Sequence, residues 1–181
     1  MKTLVIGYGH SLRGDDGVGP LVAEQIAAWN LPDVRSLCVH QLTPELAAEM
    51  AQVEQVLFVD ACLPNCQRQS PPILKEGVRC KIERLFPATF PHSLDHSWSS
   101  HTLLYLAKTL YNADPIAYQI LIPAMQFDYG EPLSAIARAG ASWVLGTLAS
   151  EAWLRRNPAR ISGSVYGTPH HPERQRCMKL V

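Results

Sequence analysis

Apolar positions along the chain change period several times, and each change marks an element. Leu4-Val5-Ile6 is a short continuous run, as expected of a strand covered on both faces. A glycine-rich turn from Gly7 to Gly17 follows it. Val18, Leu21, Val22, Ile26 and Trp29 then recur at i, i+3, i+4 and i+8, which predicts a helix. Pro32-Asp33 predicts a turn, and Val34–His40 a second strand. Thr43-Pro44 predicts a helix start, with threonine as cap, proline at the first helical position, and Leu46, Ala47, Met50 and Ala51 on one face. Val56-Leu57-Phe58-Val59 is another continuous apolar run, ending in Asp60-Ala61-Cys62.

Residues 63–75 hold three prolines and read as a loop. Val78, Cys80 and Ile82 alternate, with Leu85 slightly out of phase, as in an edge strand or a hairpin arm. Residues 86–100 are rich in Pro, Ser and His and predict irregular structure. Ser99-Ser100-His101 opens a third helix with Leu103, Leu104, Ala107 and Leu110 on its inner side. Tyr118–Ile122 is the last strand. Leu133-Ser134 caps a closing helix running to about Trp153, in which Val144 and Leu148 face inward. Gly140 and Gly146 weaken that helix or permit close packing. Polar residues dominate from Asn157 onward, so the expectation is one domain over 1–156 and a polar tail over 157–181. Strands alternating with helices predict an α/β fold, a three-layer α/β/α sandwich.

Length and composition add only exclusions. At 181 residues, with 47% hydrophobic and 18% charged content, the chain is an ordinary globular protein. Sixteen basic residues balance sixteen acidic ones, which leaves no footprint for nucleic acid and no steering towards a membrane. No run approaches the ~20 apolar residues of a spanning helix. The first apolar run meets Gly7 too soon to be the core of a secretory signal. Five scattered cysteines suit a reduced, cytoplasmic thiol set better than a disulfide framework.

The chemistry concentrates in the first turn. Gly9 and Gly14 have Walker A spacing, but Asp15 and Asp16 follow where a phosphate site needs lysine and a hydroxyl. A dinucleotide fingerprint would need glycine at position 12, which is Leu12, and an acidic residue after the second strand, which ends in His40-Gln41. Two carboxylates beside backbone amides suit a cation, or else they cap the following helix and complement its dipole. In an open α/β sheet, strand ends and helix starts share one rim. Asp16 at a helix start, Asp60 at a strand end and His101 in the first turn of the third helix can therefore converge. Two carboxylates and an imidazole suit Zn²⁺ or Ni²⁺, and three ligands leave positions open for reaction.

The ordered stretches GYGHSLRGDDGVG, VLFVDA and SSHTLLYLA resemble those of the hydrogenase maturation endopeptidases, over roughly residues 3–150. Those enzymes remove the C-terminal tail of the large subunit of nickel–iron hydrogenases once nickel is inserted. The resemblance implies a mixed, mostly parallel central sheet of about five strands. It implies that Asp16, Asp60 and His101 bind metal and carry catalysis. The nickel would be supplied by the partner, the hydrogenase large-subunit precursor, with no organic cofactor and no serine or cysteine nucleophile. The open metal site would polarise the scissile carbonyl or activate a water.

Two departures from the family pattern stand out. His10 replaces a usual asparagine, a turn contact in preference to an added ligand. Pro123–Gly130 matches the usual glycine–glutamine–proline–glutamate stretch only loosely, which bears on substrate choice more than on reaction type. Three rival readings remain. A zinc site could use Cys62 and Cys66 with His92 and His96, although 25 residues separate the pairs. A nickel sensor or assembly chaperone on the same fold would keep the ligands and cleave nothing. A conventional hydrolase finds neither a G-x-S-x-G elbow nor an H-E-x-x-H motif. Cys62 is better read as a small buried residue than as a nucleophile. His170-His171 belongs to the polar tail.

Overall fold

The two continuous apolar runs become neighbouring strands in the middle of the sheet, where both faces are covered. The structure, a computed structural model, describes residues 1–63, 73–74, 77–78, 80–89 and 98–150. The strands are β1 (Thr3–Tyr8), β2 (Val34–Val39), β3 (Gln55–Cys62), β4 (Ile73–Leu74), β5 (Gly77–Val78), β6 (Lys81–Leu85) and β7 (Ile116–Pro123). The helices are α1 (Val18–Ala28), α2 (Leu46–Met50), α3 (Ser100–Tyr111) and α4 (Ala135–Ala149). Five strands form one sheet in the order β2-β1-β3-β7-β6. The first four are parallel, and β6 closes the edge antiparallel to β7. β4 and β5 form a separate antiparallel pair.

Strand parity sorts the core into two layers. Val5, Leu57, Val59, Ile120 and Ile122 meet Val22 and Ile26 of α1 and Val144 and Leu148 of α4. Leu4, Ile6, Val56, Phe58 and Ala117 meet Leu46 and Met50 of α2 and Leu103 and Leu104 of α3. The result is the three-layer α/β/α sandwich with a mixed, mostly parallel sheet. α1 lies against β1 because two glycines face each other. A Cβ on Gly7 would stand 2.0 Å from the Gly19 carbonyl oxygen, and one on Gly19 would stand 2.5 Å from that of Val59.

Several elements differ from the sequence reading. The predicted strand around Val78 divides: Gly77–Val78 pairs with Ile73–Leu74, which the sequence assigned to a loop, and Lys81–Leu85 is the edge strand. Regular α2 is shorter than its pattern. The amides of Leu46, Ala47 and Ala48 bond three residues back, so the chain from Thr43 is a tight turn before the helix proper. Thr43 is therefore not the helix cap; its side chain bonds Glu45. Leu110 is 64% exposed although it shares the inner stripe of α3. It lies in the last turn of α3. α4 ends at Ala149 with Ser150 extended, short of the expected end near Trp153. The tail 157–181, the boundary at 156, Trp153 itself, His170-His171 and the Cys66, His92 and His96 of the zinc reading lie outside the described residues. Among the described cysteines, Cys38 and Cys80 are free thiols, and Cys62 is buried.

Gly146 needs neither turn nor close approach, since a Cβ there meets nothing within 4 Å. Gly146→Ala should raise stability by roughly 0.5–1 kcal/mol, through lower backbone entropy in the unfolded chain and better helix propensity. Thermal unfolding checks this; an unchanged or lower midpoint would contradict it.

Candidate functional site

The strand order places β1 between β2 and β3, so the chain leaves β1 towards one side and β3 towards the other. At such a reversal the loops diverge and leave a crevice at the carboxyl ends of the strands. A cleft of about 280 Å³ lies there, lined by Tyr8, Gly9 and Asp16 from the β1 turn, His40, Gln41 and Leu42 after β2, Asp60 of β3, and Trp98.

Gly9 makes the turn possible. Its φ is +132°, and a Cβ on it would stand 2.0 Å from the Asp16 carbonyl oxygen. The backbone N–H of His10 donates to Asp16 Oδ2 over 2.8 Å, which holds that carboxylate at the cleft. The His10 ring makes turn contacts, as expected. Its Nδ1 accepts from the Leu12 amide at 3.2 Å, and its Nε2 lies 3.3 Å from the Tyr129 hydroxyl. The same ring packs against His40 with centroids 5.1 Å apart.

The adjacent aspartates divide two roles that the sequence left open. Asp15 is fully buried and caps neither the turn Gly14–Gly17 nor α1. Its Oδ2 accepts from the amides of Met125 (2.8 Å) and Gln126 (3.1 Å) and from Ser134 Oγ (2.7 Å), and its Oδ1 from the Ser134 amide (2.6 Å). Burial alone would raise the Asp15 pKa, but these bonds outweigh it and hold the carboxyl below its ordinary value. Ser134 in turn caps α4 through the Ala137 amide. Asp15 is thus a clamp between the first turn and the loop before α4, while Asp16 faces the cleft.

Asp60 is the electrostatically strained group. Burial pushes its carboxyl up to about 6, and the negative charge of Asp16 adds to that; bonds from the Tyr8 hydroxyl and the Ala61 amide act the other way. Burial beside Asp60 also raises the Tyr8 phenol, which stays protonated as a donor.

The structure brings Asp16 and Asp60 into one cleft; His101 is not among the residues that line it. Ser99 caps α3 as the sequence predicts, accepting from the Thr102 amide, and His101 stands exposed in the first turn. Its Nδ1 is 2.7 Å from the Phe86 carbonyl oxygen. A carbonyl only accepts, so Nδ1 carries the proton and the lone pair of the neutral ring is on Nε2. This is the second-partner arrangement common to metal-binding histidines. Among the described residues no group of three His, Cys, Asp or Glu side chains is placed to hold a metal ion by itself. His40, Tyr8 and Gln119 were not singled out from the sequence. One signal was available for Gln119, a polar residue inside the apolar run of β7.

Among solved structures, the chain is similar to the nickel–iron hydrogenase maturation protease HycI from Thermococcus kodakarensis: 22% identity, TM-score 0.59, covering 82% of this chain and 90% of that one. It is also similar to the hydrogenase maturating endopeptidase HybD from Escherichia coli, with 20% identity, TM-score 0.59, and coverage of 84% and 92%. An endopeptidase from Escherichia coli solved in solution gives 21%, 0.61, 84% and 93%. The fold is that of the hydrogenase maturation proteases. No protein-family model matches the chain, and no curated protein does.

Proposed function

We propose that this protein is a hydrogenase maturation endopeptidase, removing the C-terminal extension of a nickel–iron hydrogenase large-subunit precursor that already carries nickel. The observation that carries the reading is the paired Asp16 and Asp60 carboxylates in one cleft at the sheet's switch point, within the fold of proteases named for that task. Nickel is part of the substrate in this reading. The two carboxylates and His101 Nε2 suit a borderline divalent cation. No three described His, Cys, Asp or Glu side chains are placed to hold a metal by themselves, which fits a set completed only when the precursor brings its metal. Bound there, nickel would supply Lewis-acid chemistry towards the scissile peptide. The protein's own part is to hold Asp16 through the His10 amide, and to hold Asp60 at the edge of ionisation in a partly dehydrated wall.

The test is a processing assay with a cognate precursor, with and without nickel. Release of a short C-terminal peptide only from the loaded precursor, read by mass spectrometry, is the expected result. Binding of the loaded precursor with no release would favour a nickel sensor or assembly chaperone instead. Equal release from both forms would refute nickel gating.

A further inference from the structure

A hydrogen-bonded chain runs across the α2/α3 face of the sheet and ends on Asp60. Ser100 Oγ donates to Gln119 Oε1 over 3.0 Å, Gln119 Nε2 donates to the Tyr8 hydroxyl oxygen over 2.8 Å, and Tyr8 bonds Asp60. The carboxylate end fixes the direction. An ionised carboxylate only accepts, so the single Tyr8 proton points to Asp60 and the Tyr8 oxygen must receive the Gln119 amide. Register places the members: Gly7 pairs with Val59, which sets Tyr8 level with Asp60, and Phe58 pairs with Gln119. Ser100, 5% exposed, is the first residue of α3 and the neighbour of His101.

The chain has no evident value to the core. Tyr8 packs against the apolar cluster of this face, which includes Ile6, Phe58 and Leu103, and an apolar side chain at 119 would serve that layer without needing partners. What it does is local. A carboxylate has about four lone-pair directions. The Tyr8 hydroxyl and the Ala61 amide, both fixed on strands, occupy two of them and leave the others for the cleft.

We propose, resting on the endopeptidase reading, that Tyr8 is a positioning residue: its hydroxyl, braced by Gln119 and Ser100, fixes how Asp60 meets the metal-bearing substrate. The same brace ties the start of α3, and so His101, to the second carboxylate.

The experiment is single-turnover cleavage of a nickel-loaded precursor by wild type, Tyr8→Phe, Gln119→Leu and the double variant, with precursor affinity and melting temperature measured alongside. Tyr8→Phe should slow cleavage about 10–100-fold, the usual scale for a group that orients a metal ligand, with affinity for the unloaded precursor unchanged. Gln119→Leu should slow it less, and the double variant should be no slower than Tyr8→Phe, because both act through one contact. Wild-type rates in Tyr8→Phe, or losses matched by falls in affinity and melting temperature, would overturn the positioning role. Independent, multiplying losses in the double variant would overturn it too. Failure of the wild type to cleave would instead overturn the endopeptidase reading, and the proposal with it.

Discussion

Asp15→Ala is expected to lower stability at neutral pH by about 3 kcal/mol or more, although Asp15 faces away from the cleft. The carboxylate is fully buried and receives three backbone amides and one hydroxyl. Alanine would leave those donors without their acceptor, and each orphaned donor costs about 1–3 kcal/mol, offset in part by water entering the gap. The loss should reach the turn that carries Asp16, because the Asp15 amide also donates to the Gln126 carbonyl at 2.7 Å. The pH dependence has a definite sign. The folded carboxyl titrates below its unfolded value, so its stabilisation is present above the unfolded pKa of about 4 and disappears as pH falls through the folded one. Wild type should therefore lose stability on acidification below about pH 4, and Asp15→Asn should lose less over the same range. Urea denaturation at several pH values measures both effects. A variant as stable as wild type at neutral pH would refute the clamp.

Asp60 should behave in the opposite way. Asp60→Ala is expected to cut processing of a loaded precursor on the order of 10³-fold or more, the scale seen when a preorganised charge-stabilising group is removed. Asp16→Ala and His101→Ala should do the same. Yet Asp60→Asn should be no less stable than wild type near neutral pH. A carboxyl raised to about 6 by burial and by Asp16 favours the protonated form in the folded state. The folded protein therefore pays nothing while both states are protonated, below the unfolded pKa of about 4, and carries its full penalty above about 6. Thermal melts in buffers either side of that window should show the asparagine variant gaining on wild type as pH rises. Normal processing by both Asp60→Ala and His101→Ala would sink the site assignment. A marked loss of stability in Asp60→Asn would show that Asp60 holds the fold rather than the chemistry.

Most of the architecture was legible because it depends on periodicity and on glycine. Leu4-Val5-Ile6 and Val56–Val59 are continuous runs because both faces of those strands are covered, and that burial is visible one residue at a time. Ser99 and Ser134 announced their helices because an N-cap is a local device. What stayed hidden is non-local. Nothing near Asp15 in sequence indicates that its partners stand more than a hundred positions away, at Met125, Gln126 and Ser134. His40 entered the cleft through the strand order, which a sequence states only indirectly. The antiparallel pair Ile73–Leu74 and Gly77–Val78 was too short for alternation to register. Leu110 keeps its helical phase yet stands exposed, because what covers a helix face is not written in the helix's own pattern.

In the proposed reading the Asp16–Asp60 cleft both reads nickel in the precursor and directs cleavage. The most direct measurement follows tail release from a nickel-loaded precursor by wild type, Asp16→Ala and Asp60→Ala side by side, with folding of each confirmed by its melt. Wild type should release the tail, and the two folded cleft variants should release none above background. Release at wild-type rate by both variants would contradict this role for the cleft.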